Sequence, residues 1–487
     1  MHEEKVINRL KGIINKNLNN KNYESALAAC SVCAEIMYMH NQTYVDEELE
    51  MYLQRIGNQI IKVNKQNEIT KLLNPNRTIL FYDGFGLDTR GLALIFVKAL
   101  VEIGYQVVYV TTEKAKENQP RIHEVTKGTN IKWIYIHMDQ GYLSWINELN
   151  SIFEKFKPET AFFYTTPNDV AATVVFDSYA GQVERYQIDL TDHAFWLGKY
   201  TFDYCIALRD LGPKIEFNYR GIPKEKIVML PYYATVNYDE PFAGFPFPVE
   251  GKRVIFSGGS LYKTLGDEEN KYYKIVESIL EKHEDIIFMY AGSGDDSQLN
   301  ILKQKYNDRV FHVEERKDLY QVLKHCVLYL NTYPMFGGLM MNYAATAGKI
   351  PITLKHNHDA DGLLFNQSKL KIEYEDIDTL LQDVDKLLEN PEYLKERESL
   401  LNGSVITEEK FRRELKKLIE NQSTSYEFEV DYVDTSEFRE EFDKRFDIYK
   451  SVSIALYQKN NKKLVKNFLR LYWIGKFKCI KENLRKR

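Results

Sequence analysis

A chain of 487 residues is longer than one hydrophobic core usually fills, so two or three domains are expected, each with an interior of its own. The composition is that of a globular protein, and a formal net charge of -5 argues against a general nucleic-acid binder. Cys30, Cys33, Cys205, Cys326 and Cys479 are scattered and odd in number, as in reduced cytoplasmic proteins. Cys30-Ser-Val-Cys33 has CxxC spacing, but it stands alone in an Ala-rich stretch and reads as core. The N-terminus "MHEEKVINRLKG" has no apolar export segment, and no run approaches the roughly 18 apolar residues of a membrane span, so a cytoplasmic location is expected.

Residues 1–75 read as helices alone, with "VINRLKGIINKNL", "NYESALAACSVCAEIMYMHN" and "VDEELEMYLQRIGNQIIKVNKQ" placing apolar residues at helical spacing. Over 76–245, short β-branched and aromatic runs alternate with helix-length segments: "TILFYDGF", "YQVVYVTT", "IKWIYIHM", "TAFFYTT", "YQIDLT", "YCIALR" and "IVMLPYY" read as buried strands. That alternation predicts a parallel, doubly wound, Rossmann-like sheet. "DEPFAGFPFPVEGK", with Pro241, Pro246 and Pro248, reads as a stiff interdomain link. The alternation restarts over 250–420 with "RVIFSGG", "IIFMYAGSG", "RVFHVEE", "VLYLNTYP" and "IPITL", which predicts a second Rossmann-like domain. Tandem domains of this kind predict a ligand cleft at facing strand ends.

Residues 421–487 return to helical patterning. From Lys459 to the end, eleven Lys or Arg stand against the single acid Glu482, interleaved with Leu464, Phe468, Leu469, Trp473, Ile474, Phe477 and Ile480. This is the pattern of a helix lying on an anionic membrane surface, or of a basic helix docked on an acidic patch of the same protein.

Three glycine-bearing loops follow strands of the second α/β region. "FSGGSLYKT" supplies Gly258, Gly259 and Lys263; "AGSGD" supplies Gly292 and Ser293; "LNTYPMFGGLMMNYAATAGKIP" opens a helix at Gly337 and Gly338. Glycines let an anion approach backbone N–H groups, and a helix N-terminus adds its dipole, so together these loops read as one diphosphate pocket. Each alone is also an ordinary strand-to-helix connection.

The pairing of "SLYKT" after a strand with a strand, a Thr-x-Pro turn, glycines and "AATAGKIP" about 65 residues later resembles the donor half of GT-B glycosyltransferases. The nearer likeness is to the branch that holds protein O-GlcNAc transferases and bacterial cytoplasmic N-glycosyltransferases. It implies that Lys263 meets the donor diphosphate and that the backbone around Gly337, Gly338, Leu339 and Met340 caps the phosphates. One departure stands out: five residues before Gly348, where such enzymes carry Glu or Asp for the ribose hydroxyls, this chain has Tyr343, and Asn342 or Tyr343 would have to serve instead.

The first α/β region offers two places. "FYDGFGLDTRGLA" sets Asp83, Gly84, Gly86 and Arg90 after its first strand, as cleft-lining groups or as a tight turn with Asp88 or Thr89 capping the next helix. "YQIDLTDHAFWLGKY" sets Asp192 and His193 after a strand, where a histidine with a neighbouring carboxylate suits a general base at neutral pH. "KHNHDADG", with His356, His358, Asp359 and Asp361, has metal-ligand residue types, but is read as a polar loop lining the donor site.

The expectation is a cytoplasmic GT-B transferase of the hexosyltransferase type, without metal or cofactor, taking a nucleotide-diphospho-sugar, most readily a UDP-sugar. Its expected acceptor is a membrane-associated lipid-linked glycan of surface polysaccharide synthesis, with the tail on the anionic inner face of the membrane. The alternatives are a protein acceptor, a noncatalytic GT-B partner of another transferase, and a sugar-nucleotide epimerase on the same fold.

Overall fold

A computed structural model describes residues 2–62, 77–88, 91–265, 267–356, 361–445 and 447–485. The chain divides into two compact units, one formed by 1–230 with 409–487 and the other by 231–408.

The first unit is built on seven parallel strands: β1 (Thr78–Asp83), β2 (Gln106–Thr112), β3 (Ile131–Ile136), β4 (Thr160–Tyr164), β5 (Glu184–Ile188), β6 (Tyr204–Ala207) and β7 (Ile227–Met229), in the order β3-β2-β1-β4-β5-β6-β7. These are the seven runs read from the sequence. Their near-continuous apolar character follows from helices covering both faces, which leaves no solvent side to be polar.

One row of side chains fixes the register. Trp133, Tyr109, Phe81, Phe162, Tyr186 and Tyr204 are successive partners on β3, β2, β1, β4, β5 and β6. Their ring centroids are 4.6, 5.7, 6.4, 4.9 and 5.4 Å apart in that order. Side chains alternate faces along a strand, so a slip of one residue on any strand would turn its ring out of the row. Aromatic pairs at these spacings are worth about 0.5–1.5 kcal/mol each beyond burial.

Helices α1 (His2–Asn19), α2 (Tyr23–His40) and α3 (Glu47–Ile60) form the N-terminal part of this unit. Helix α2 is buried along most of its length, and its alanines admit neighbours on several sides. Cys30 and Cys33 lie inside it, and burial pushes both thiols up, away from thiolate chemistry. The helix Ile448–Tyr457 packs back on α2, where Ser451 Oγ lies 3.1 Å from His40 Nε2.

The second unit has six parallel strands, β8 (Arg253–Gly258), β9 (Ile286–Ala291), β10 (Val310–Val313), β11 (Leu328–Leu330), β12 (Pro351–Leu354) and β13 (Glu373–Tyr374), in the order β10-β9-β8-β11-β12-β13. The two-residue β13 is too short to leave a sequence pattern.

The divisions of the chain fall elsewhere than proline content suggests. The "DEPFAGFPFPVEGK" stretch lies inside the second unit, where Phe242 meets Phe245 edge-on at 5.1 Å and Phe245, Phe247 and Phe311 stack in series at 5.4 and 4.0 Å. Asp318 accepts from Ala243 N–H at 2.9 Å, and Arg316 donates to the Gly244 carbonyl. Residues 409–421 belong with the first unit, because Phe411 packs edge-on to Phe96 and the Leu418 and Ile419 carbonyls accept from Tyr186 and Arg77.

The aromatic row carries a measurable consequence. Phe162→Ala is expected to destabilise the first unit by about 3–5 kcal/mol, seen as a lower urea midpoint, while Phe162→Leu costs much less.

Candidate functional site

The strand order of the second unit reverses about β8, which lies between β9 and β11, and loops at such a switch point are where doubly wound sheets take ligands. Three of them converge. After β8 the chain turns at Gly259 (φ +125°), whose N–H donates to Ala291 O, and Leu261 N–H donates to Ser293 O, both at 2.9 Å. Gly292 (φ +148°) comes so close that a Cβ there would lie 2.0 Å from the Gly259 carbonyl oxygen. No side chain fits that crossing. Gly258 is less tightly held, with a Cβ position 3.2 Å from the Ala291 oxygen.

Lys263 brings in the third loop. It sits in a 3-10 turn, Leu261–Thr264; its Nζ donates to Phe336 O at 3.1 Å, and its carbonyl accepts from Met335 N–H. The helix Gly338–Thr346 then begins with Gly337 at its N-cap and no side-chain cap. Its first-turn N–H groups, at Gly338, Leu339 and Met340, therefore lack intrahelical acceptors and point out of the helix end. A cation and a set of backbone donors thus stand together beyond β8 and β11, an arrangement suited to a phosphate or diphosphate.

Asn342 and Tyr343 are turned inward. Asn342 is buried and its amide lies 3.3 Å from the Gly338 carbonyl. The Tyr343 hydroxyl donates to Thr235 O at 2.9 Å, tying the helix to the first residues of the unit. With its proton given to Thr235 O, the Tyr343 hydroxyl could meet a ribose only as an acceptor.

Sequence reading missed Asn331 and His312. Asn331 is buried at the end of β11; its Oδ1 accepts from the Tyr329 hydroxyl at 3.0 Å, and its Nδ2 has no partner among the described residues. His312 Nε2 is 2.7 Å from the Gly292 carbonyl and holds the second loop. The only sequence signal for Asn331 is a polar residue closing an apolar strand.

In the first unit the structure places Asp192 and His193 beyond β5. Arg209 grips the Asp192 carboxylate through Nε at 2.6 Å and Nη2 at 2.8 Å, while His193 Nδ1 lies 3.2 Å from Asp192 Oδ1. Burial opposes charge on Asp192, but the Arg209 guanidinium, helped by His193, holds the carboxyl well below the usual range. Asp192 is therefore an anion that orients the ring rather than a proton acceptor. Accepting from Nδ1–H, it leaves His193 Nε2 as the basic nitrogen, on a side chain 33% exposed.

The loop bearing His193 is held from elements remote in sequence. Asn41, which ends α2 in the left-handed region at φ 48°, donates to His193 O and accepts from Phe195 N–H. Arg220 is buried; its guanidinium donates to the carbonyls of Tyr44 and Ala194, bonds Glu216 at 2.9 Å and lies 4.3 Å from the Trp196 ring centroid. Glu50 of α3 accepts from Gly198 N–H at 2.8 Å. The N-terminal helices thus shape this loop directly.

Asp83 is a correction to the cleft-lining reading. It is fully buried, and its carboxylate accepts from Phe85 N–H, Gly86 N–H, the Tyr109 hydroxyl and Gln119 Nε2, so it shapes the turn and has no lone pair left for a substrate. Gly84 donates to Tyr164 O, and Gly86 has φ +63° with Thr112 where a Cβ would go. The following helix, α4 (Leu92–Ile103), has Gly91 at its N-cap, and Asp88 instead accepts from Arg121 N–H at 2.7 Å. Arg90 and Thr89 lie outside the described residues.

Two groups of potential metal-ligating atoms occur among the described residues, Asp189 with Cys205 and Glu216, and His283 with Asp385 and Glu389. Each already holds a cation: Arg220 bonds Glu216, and Lys282 bonds Asp385 at 2.6 Å. In the "KHNHDADG" stretch, His356 packs 5.3 Å from the Tyr333 ring, while His358 and Asp359 lie outside the described residues.

The tail helix, Leu469–Arg485, crosses the helix Ile448–Tyr457 at Gly475, where a Cβ would lie 1.9 Å from the Tyr449 carbonyl oxygen. Lys459, Lys463 and Lys478 pair with Asp139, Glu24 and Asp447, so part of the tail's charge is spent within the unit. Leu469, Trp473, Phe477 and Ile480, spaced as one helical stripe, are exposed. No helix among the described residues is long and apolar enough to cross a membrane.

No family model matches the chain, and no curated protein matches it. Solved structures do. An O-GlcNAc transferase mutant of Thermobaculum terrenum aligns at TM-score 0.51 and 13% identity, covering 90% of this chain and 83% of that one. A glycosyltransferase of Rickettsia africae aligns at TM-score 0.54 and 11% identity, covering 72% and 100%. Staphylococcus aureus MnaA, solved with UDP, aligns at TM-score 0.51 and 12% identity, again covering 72% and 100%. The chain has the α/β two-unit fold of GT-B glycosyltransferases.

Glu50 offers a test of how the helices hold the His193 loop. Burial raises its carboxyl to about 7, against hydrogen bonds from Gly198 and Lys199 that lower it. Between its ordinary value of 4.5 and about 7 the folded protein binds the extra proton, so this group makes stability fall as pH rises. Glu50→Gln keeps an acceptor without the charge, and is expected to flatten the fall in urea midpoint between pH 5 and pH 7.5.

Proposed function

We propose that the protein is a glycosyltransferase that moves a sugar from a nucleotide-diphospho-sugar to an acceptor hydroxyl, without a metal ion. The observation that carries this reading is the convergence of the three loops beyond β9, β8 and β11, with Lys263 joined to the loop that opens the helix Gly338–Thr346. Among the fold neighbours two bear transferase names, another is named a UDP-N-acetylglucosamine 2-epimerase and one was solved with UDP, which makes a UDP-sugar the first ligand to try.

Lys263 and the first-turn N–H groups stabilise the negative charge that builds on the diphosphate as the bond from the anomeric carbon to the diphosphate oxygen breaks and that oxygen keeps the electron pair. In a transfer with inversion, His193 Nε2 takes the acceptor proton as the acceptor oxygen bonds to the anomeric carbon, and Asp192 stabilises the imidazolium that results. The buried, arginine-gripped Asp192 suits that orienting role.

The exposed stripe and remaining basic residues of the tail favour a membrane-borne acceptor, a lipid-linked glycan of a surface polysaccharide, reached from the cytoplasmic face. On this reading the protein is peripheral and needs no spanning segment.

Calorimetric titration of UDP, GDP, CDP and dTDP tests the donor side. One diphosphate is expected to bind, and Lys263→Ala to weaken it at least tenfold, about 1.4 kcal/mol. Absence of binding by all four would replace the transferase with a noncatalytic partner, in which the inward Tyr343 marks a lost ribose site. On the acceptor side, His193→Ala is expected to lower turnover at least about a hundredfold with diphosphate affinity unchanged. Transfer to peptides with none to lipid extracts would make the acceptor a polypeptide.

A further inference from the structure

Next to the His193 loop, two carboxyl groups meet in the interior of the first unit. Asp189 follows β5, Glu216 lies on the helix Leu211–Asn218, and Cys205 of β6 stands beside them, one ligand atom of each within 4.8 Å of the others. All three are buried. Asp189 Oδ1 accepts from Thr191 N–H at 3.1 Å, and Glu216 Oε1 accepts from Arg220 Nε at 2.9 Å. The second oxygen of each, Asp189 Oδ2 and Glu216 Oε2, has no donor among the described residues.

The surroundings do not support two anions there. The groups that face the pair are Arg220, Cys205, Asp192 with its partners Arg209 and His193, and, across Arg220, the Tyr44 phenol. Asp192 is itself an anion and adds repulsion, while burial pushes the Cys205 thiol and the Tyr44 hydroxyl up, so both stay neutral. Arg220 therefore balances one carboxylate, not two. Its other N–H groups go to the carbonyls of Tyr44, Thr191 and Ala194. One proton between the two orphan oxygens satisfies both at once, because one carboxyl then donates and the other accepts. Burial and mutual repulsion raise both carboxyls, the direction that keeps this proton.

The same groups hold the chain on either side of the base. Thr191 precedes Asp192 and Ala194 follows His193; Asp189 fixes the Thr191 N–H, and Arg220 fixes the Thr191 and Ala194 carbonyls. A second anion beside Arg220 would compete with those carbonyls for its N–H groups.

We propose that Asp189 and Glu216 share a single proton and, with Arg220, are positioning residues for His193, fixing the loop on both sides of the Asp192-His193 pair. The inference rests on the reading of His193 as the base, but the shared proton is measurable without turnover.

Urea unfolding of the full chain at intervals from about pH 6 to about pH 8 counts the proton, since the slope of unfolding free energy with pH gives the protons taken up on folding. The unfolded chain ionises both acids above the ordinary carboxylate range, so this pair makes stability fall as pH rises. The wild-type protein is expected to take up one proton more than Glu216→Gln or Asp189→Asn, in each of which an amide N–H stands in for the shared proton. Hydrogen exchange by mass spectrometry, corrected for intrinsic rates, reads the loop. Protection of 190–198 is expected to fall at least about tenfold toward about pH 9.5 in the wild-type protein and to hold in Glu216→Gln. Equal proton uptake by all three proteins overturns the shared proton. Loop protection that is independent of pH, or that falls alike in Glu216→Gln, overturns the positioning role. Should Glu216→Gln not fold, Asp189→Asn, which reverses the same bond, carries both measurements. Turnover unaffected by His193→Ala overturns the base reading and the positioning role with it, while the proton count stands or falls by itself.

Discussion

The crossing of Gly259 and Gly292 is the constraint on which the second unit's chemistry depends. With a Cβ position only 2.0 Å from the neighbouring carbonyl oxygen, the loops after β8 and β9 lie backbone on backbone, and Leu261 N–H reaches Ser293 O. That contact sets the 3-10 turn, the turn sets Lys263, and Lys263 holds the loop that opens the helix Gly338–Thr346. On the proposed reading, anion recognition here is a product of main-chain geometry with one ammonium added. A site made this way needs few charged side chains, which is compatible with the chain's modest acidity.

The first unit solves a different problem. Its aromatic row locks six strands in register, and the row's own Tyr109 hydroxyl reaches Asp83, which organises the turn after β1. Beyond β5, the His193 loop is fastened by carbonyl-seeking donors, Asn41 and Arg220, and by Glu50 as an acceptor. Buried ionic groups of this sort contribute little net stability but leave one geometry for the loop they hold. Asp189 and Glu216, with ligand atoms close together beside Arg220, belong to the same support, and burial raises both carboxyls.

Much of the architecture was legible from the sequence because parallel strands buried on both faces leave continuous β-branched and aromatic runs. The glycine loops were legible as well, since their spacing after strands follows from the fold. What stayed hidden depends on partners far along the chain. Phe242, Phe245 and Phe247 look like linker residues until Phe311 is beside them, so the proline-rich stretch reads as a link rather than a packed edge. Asp83 looks like a cleft acid until Tyr109 and Gln119 saturate it. Arg220 and Asn41 carry no local signal, because what they grip is carbonyl oxygen 26 and 152 residues away. Tyr343 shows where an acid is missing, but only Thr235 shows what the hydroxyl does instead.

The central claim is that three separate loops make one diphosphate site. Hydrogen exchange measured by mass spectrometry with and without saturating UDP tests it most directly, because protection is read segment by segment. The account predicts slowed exchange in 258–264, 292–296 and 335–341 together. Protection of none of these segments, or of one loop without the other two, would contradict it.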